Sequence, residues 1–138
     1  QIVISGSKNE INNSKDLFIN NHIKKFVELN VSAAFHSKFM NKAQKELSKK
    51  IEELNFLENQ IKIISNFDAN IYNDTISIKK NLQNQMANRV NWTQSIRKLE
   101  EIGENSIIEI GPGKVLSGLV IRITKNFDIT SINKISDL

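Results

Sequence analysis

Apolar positions recur along this chain in two rhythms. Between Ser37 and Leu54 they step by three or four residues (Met40, Ala43, Leu47, Ile51, Leu54), with lysines and glutamates filling the gaps. That spacing predicts an amphipathic helix with those five side chains turned inward. Similar stepping predicts a helix from Asn9 to about His22, with Ile11, Phe18, Ile19 and Ile23 on one face. Asp74 is placed to cap a helix that reaches about Met86 and turns Ile78, Leu82 and Met86 inward. Another carries Trp92, Ile96 and Leu99 and closes at Gly103, which can take the left-handed conformation of a helix end. Val115 to Thr124 repeats the pattern with Leu116, Leu119, Val120 and Ile123.

The second rhythm is that of short β-branched runs. Ile2-Val3-Ile4, closed by Ser5-Gly6-Ser7, and "KFVELNV" from Lys25 to Val31 both read as strands. So do "IKIIS" from Ile61, "SIIEI" from Ser106 and the alternating "FDITSI" from Phe127. Helices alternating with short apolar strands predict an α/β fold with a largely parallel sheet. No repeat or linker tract interrupts the pattern, and the one internal boundary expected lies near Val31. A strand at the very first residue, with no basic-then-apolar leader, suggests a cut through a larger protein rather than a secretion signal.

Composition narrows the chemistry. With 138 residues the chain can bury a real core, and no run of eighteen apolar residues is present to span a membrane. It has no cysteine, so disulfides and thiolate metal sites are excluded, and a reducing, cytoplasmic setting is expected. Two distant histidines, His22 and His36, do not suggest a metal site. The formal net charge of +4 comes from scattered lysines interleaved with Asp and Glu, beside arginines only at 89, 97 and 122. That distribution argues against nucleic acid, though a basic surface could steer an acidic partner protein.

Few positions can carry chemistry. "EIGPGKVLSGL" has the strand, glycine turn and helix of a phosphate site. The P-loop pattern nevertheless fails, because Val115 follows Lys114, and Leu116 stands where a dinucleotide motif needs its third glycine. The local expectation is a structural turn fixed by Pro112. His22, at the margin of its helix's apolar face, is expected to be a packing residue. His36 differs: it follows an apolar run and precedes a helix for which Ser37 is an available N-cap. Such a position suits a general base, and equally an incidental loop histidine. There is no G-x-S-x-G elbow and no cysteine, so a base here would lack a nucleophile.

Five blocks in order resemble the malonyl-CoA:acyl carrier protein transacylase family, in its C-terminal portion: "QIVISG", "LNVSAAFHSKFM", "ISNFDA", "NQMANRVNWTQSI" and "IIEIGPGKVLSGL". The resemblance implies part of an α/β hydrolase-like large lobe (residues 32–138), preceded by the last βαβ-type piece of an inserted ferredoxin-like small lobe (residues 1–31). It implies malonyl transfer from coenzyme A to the phosphopantetheine thiol of acyl carrier protein in fatty acid biosynthesis, with no cofactor, metal, nucleic acid or membrane. His36 would be the general base and acid, oriented by the backbone carbonyl of Gln85, and Phe35 would favour malonyl over a branched acyl group. The nucleophilic serine, the oxyanion hole and the carboxylate-gripping arginine would lie upstream, so the isolated chain should be inactive. Arg89 stands where the family has proline. A non-catalytic carrier-protein or subunit docking domain and a polyketide synthase acyltransferase fragment are the alternative readings.

Overall fold

The computed structural model describes residues 2–58 and 60–138, so Gln1, the first residue of the proposed opening block, lies outside the described residues. Two compact units emerge: one runs up to Ile63 and resumes over Tyr72–Val90, the other comprises Ile64–Ile71 and Asn91–Leu138.

In the first unit, helix α1 (Lys8–Asn20) begins at a reciprocal cap. Ser7 Oγ accepts the Glu10 N–H, and the Glu10 carboxylate accepts both the N–H and the hydroxyl of Ser7. The helix buries none of its residues. It ends with His22 at φ +64, the His22 N–H bonded to Ile19 and the Ile23 N–H to Phe18. His22 is exposed and closes the helix in the left-handed region, so the packing role expected of it is wrong. The strands expected at Ile2–Ile4 and Lys25–Val31 are absent as well. Val3, Val27 and Val31 stand 64%, 58% and 66% exposed, and no ladder forms beside them among the described residues. A β-branched run becomes a strand only when another backbone completes its hydrogen bonds.

Helix α2 (Asn41–Glu53) forms where its pattern predicts, but it does not turn its apolar stripe inward. Ala43, Leu47 and Leu54 are exposed, whereas Met40, Gln44, Ser48 and Ile51 are the half-buried or buried positions. The neighbour is helix α3 (Thr75–Asn84), capped by Asp74, whose carboxylate accepts the Ser77 N–H at 2.7 Å. Polar side chains bond the two helices together. Lys79 donates to the Glu52 carbonyl at 2.9 Å, and Gln83 Nε2 donates to the Glu52 carboxylate at 2.5 Å. Ile78, expected inward on α3, is buried.

Short strands β1 (Ile63–Ile64) and β2 (Ile71–Tyr72) pair across a turn in which Asp68 accepts the Asn70 N–H at 3.1 Å and Ala69 sits at φ +60. The longer strand expected from Ile61 is therefore reduced to two residues.

The second unit forms its expected elements, although Leu116, expected on the inward face of its helix, is 44% exposed and Ser117 is buried instead. Helix α4 (Trp92–Glu101) ends with Gly103 at φ +83, donating to Glu100, and the Glu104 N–H bonded to Leu99. Strand β3 (Ser106–Ile110), helix α5 (Val115–Ile123) and strand β4 (Asp128–Ile132) form a βαβ crossover. β3 and β4 pair in parallel with Ile107 beside Ile129 and Glu109 beside Ser131. Their covered face meets a core of Ile96, Val120 and Phe127, joined by Trp92, Leu99, Ile107, Ile123 and Ile129. On the opposite face Ile108 and Ile110 stand 60% and 80% exposed.

Candidate active site

The loop before α2 is fixed at each residue around His36. Ser5 Oγ donates to the Phe35 carbonyl at 2.6 Å, and Ser37 Oγ donates to the Ala34 carbonyl at 2.7 Å while accepting the Phe39 N–H. Between them His36 is held at φ +60, a conformation that costs a non-glycine residue roughly 1–3 kcal/mol. Its own N–H donates to the Met86 carbonyl at 2.9 Å, which holds the residue in that conformation.

The opposing surface is the turn that leaves α3. The last carbonyls of a helix have no partner within it. Here Gln85 caps α3, and its carbonyl oxygen lies 3.1 Å from His36 Nδ1. The carbonyl of Asn88 lies 3.0 Å from the same nitrogen. Carbonyl oxygens only accept, so Nδ1 must carry a proton and divide it between them. In the neutral ring, Nε2 is then left with its lone pair. The imidazole is exposed, not enclosed in hydrocarbon, and Phe35 beside it is 45% exposed. The structure thus brings His36 to the Gln85 carbonyl, with Phe35 its neighbour along the chain, and adds Asn88, which the sequence does not single out. A main-chain acceptor leaves no mark in residue type.

The turn before α5 is of another kind. Gly111 and Gly113, at φ +141 and +92, carry the chain through the tight reversal. The Glu109 carboxylate reaches over it to accept the N–H groups of Leu116 at 3.0 Å and Ser117 at 2.8 Å, and the Ser117 hydroxyl at 2.5 Å. Those bonds, the Ser117 hydroxyl first, hold the carboxyl below the usual glutamate range against the opposing effect of burial. A helix start occupied by the protein's own carboxylate is a structural cap, not a cradle for phosphate. A separate open cleft of about 350 Å³ in the second unit is lined by Asp68, Ala69, Arg97 and Lys98 among others, and none of the candidate residues borders it. Among the described residues, no three metal-binding side chains come together.

No family model matches the chain. It is 41% identical over 127 residues to the polyketide biosynthesis malonyl CoA-acyl carrier protein transacylase PksC of Bacillus subtilis (strain 168), covering 91% of this chain and 44% of that protein. Its backbone superposes on an acyl carrier protein S-malonyltransferase from Vibrio cholerae O1 biovar eltor with a TM-score of 0.89 and 33% identity, over 96% of this chain and 43% of that one. The chain belongs to the malonyl-CoA:acyl carrier protein transacylase family. It is also 46% identical over 124 residues to the polyketide biosynthesis protein PksE of the same Bacillus, covering 89% of this chain and 16% of that protein. This transacylase segment thus spans under half the length of the relatives it matches. The α/β class expected from its pattern holds, with β3 and β4 as a parallel pair.

Proposed function

We propose that this chain supplies the general base of a malonyl-CoA:acyl carrier protein transacylase acting in the cytoplasm, and that the nucleophilic serine comes from a part of the protein outside these residues. The carrying observation is the imidazole of His36 with Nδ1 against two main-chain carbonyls. In this reading the serine hydroxyl attacks the malonyl thioester carbon and passes its proton to His36 Nε2. The tetrahedral intermediate collapses, the carbon–sulfur bond breaks, and His36 returns the proton to the departing coenzyme A sulfur. The phosphopantetheine thiol of acyl carrier protein then gives its proton to His36 and attacks the acyl-serine ester. The serine oxygen leaves and takes that proton back. Gln85 and Asn88 act as the orienter through neutral carbonyl dipoles, which fix the tautomer without placing another carboxylate near the malonyl group. Phe35 borders the acyl site and crowds an α-branch. Residues up to Val31 belong, in the same reading, to the small lobe and those from 32 onward to the large one, consistent with α1 burying nothing of its own.

The acceptor is a carrier protein of fatty acid biosynthesis. A carrier domain of polyketide assembly is the second reading, favoured by the two polyketide relatives. Both involve the same chemistry and differ only in the partner. In the intact enzyme, His36→Ala should reduce malonyl transfer by several orders of magnitude, measured with radiolabelled malonyl-CoA and either carrier. Transfer within a few-fold of the parent would remove His36 from the mechanism, and the preferred carrier decides between the two pathways.

A further inference from the structure

We propose that Gln44 is a positioning residue for His36, acting through the turn that holds the imidazole. The inference rests on the reading of His36 as the base. Gln44 lies on the half-buried face of α2 with Met40, Ser48 and Ile51. Its Oε1 accepts the Ala87 N–H at 2.7 Å. Ala87 sits inside the turn whose other peptide groups face His36. The carbonyls of Gln85 and Asn88 take the ring Nδ1–H, and the carbonyl of Met86 takes the His36 N–H. The turn therefore directs three carbonyls to one histidine and its one N–H at position 87 to Gln44.

This turn lies beyond the last residue of α3, entered by the Gln85 N–H bonded back to the Leu82 carbonyl. Within it, Asn88 Nδ2 bonds back to the Asn84 carbonyl, a contact local to the chain. Gln44 ties it to α2 instead, and α2 follows directly from the loop that carries His36. The result is a closed circuit: His36, the start of α2, Gln44, Ala87, and the carbonyls on Nδ1. Its size is set by helix geometry, so the circuit sets where the carbonyls sit relative to the ring. Only the oxygen of the amide can face an N–H donor, which fixes the orientation of the Gln44 side chain. Without this bond, Ala87 keeps a half-buried donor with no acceptor and the turn is free to drift.

The test is kinetic and uses the intact transacylase. Gln44→Met keeps length and bulk but removes the acceptor; Gln44→Glu restores an acceptor at the same reach. The Met variant should lose about tenfold to a hundredfold in kcat, what an ångström of misplacement costs a reacting group. Its KM for malonyl-CoA should stay within about twofold of the parent, since Gln44 touches no substrate, and the Glu variant should recover kcat to within about threefold. If the Met variant melts far below the parent, Gln44→Lys, a donor in place of an acceptor, is set against Gln44→Glu, with the same loss expected of Lys alone. Parent-like kcat without the acceptor, or equal losses with and without it, overturns the inference. His36→Ala run alongside separates the two failures. A fully active alanine variant removes the base itself, whereas an inactive one beside a parent-like Met variant removes only Gln44.

Discussion

His36 combines a strained backbone with an over-determined side chain, the usual circumstance in which a left-handed non-glycine residue persists. His22, at nearly the same φ, has no such anchoring role and simply terminates a helix where glycine would serve better. Residue type alone could not separate these two histidines; their surroundings do. Phe35 is the other residue whose identity carries a consequence. If its ring crowds the acyl site, Phe35→Ser in the intact enzyme should raise acceptance of methylmalonyl relative to malonyl by about 10–200-fold, the range that one carbon in an apolar pocket supports. A competition assay with the two thioesters measures it, and an unchanged ratio places Phe35 away from the substrate.

Elements were legible where the chain supplies their partners. Helix α4, with Trp92, Ile96 and Leu99 inward, and the β3–α5–β4 crossover all close upon one another. The runs at Ile2–Ile4 and Lys25–Val31 did not become strands, because a strand needs a second backbone that local pattern cannot guarantee. Helix α2 misled in another way. Its apolar stripe is real, yet its bonds to α3 use the Ser48 carbonyl and the Glu52 carboxylate, and its bond to the turn after α3 uses Gln44, none of them on that stripe. The candidate site was legible only in part: His36 stood out by its place between an apolar run and a helix start and Gln85 through resemblance, while Asn88 faces His36 through a main-chain atom that any residue possesses. Helix α5 supports a prediction of its own. The Glu109 carboxyl is depressed in the folded chain, so its cap contributes fully above the ordinary glutamate value of 4.5 and is lost as pH falls through the lower folded value. Asp74 and Glu100, also depressed by hydrogen bonds, add to the same acid limb. Thermal melts followed by circular dichroism should fall in Tm below about pH 4.5, less steeply in Glu109→Gln. Equal slopes would contradict the capping role.

At the scale of the molecule, apolar surface is left unused. Ile108 and Ile110 project from one face of a parallel pair, a kind of sheet normally covered on both sides. Leu47 and Leu54 line the outer stripe of α2 at 38% and 57% exposure. The relatives are more than twice as long as this chain, and in the proposed reading their additional residues cover these faces. The chain alone should therefore self-associate, and light scattering after size exclusion should give a mass that rises with concentration. A monomer over a wide concentration range would count against that reading.

With two main-chain carbonyls facing Nδ1, neutral His36 should rest in one tautomer, its Nε2 free to take a proton. Long-range proton–nitrogen correlation of the imidazole, on protein labelled at histidine and at a pH where the ring is neutral, tests it most directly. The expected spectrum shows a protonated, pyrrole-type Nδ1 and a bare, pyridine-type Nε2, assigned by comparison with His36→Ala. A proton resident on Nε2 would contradict it.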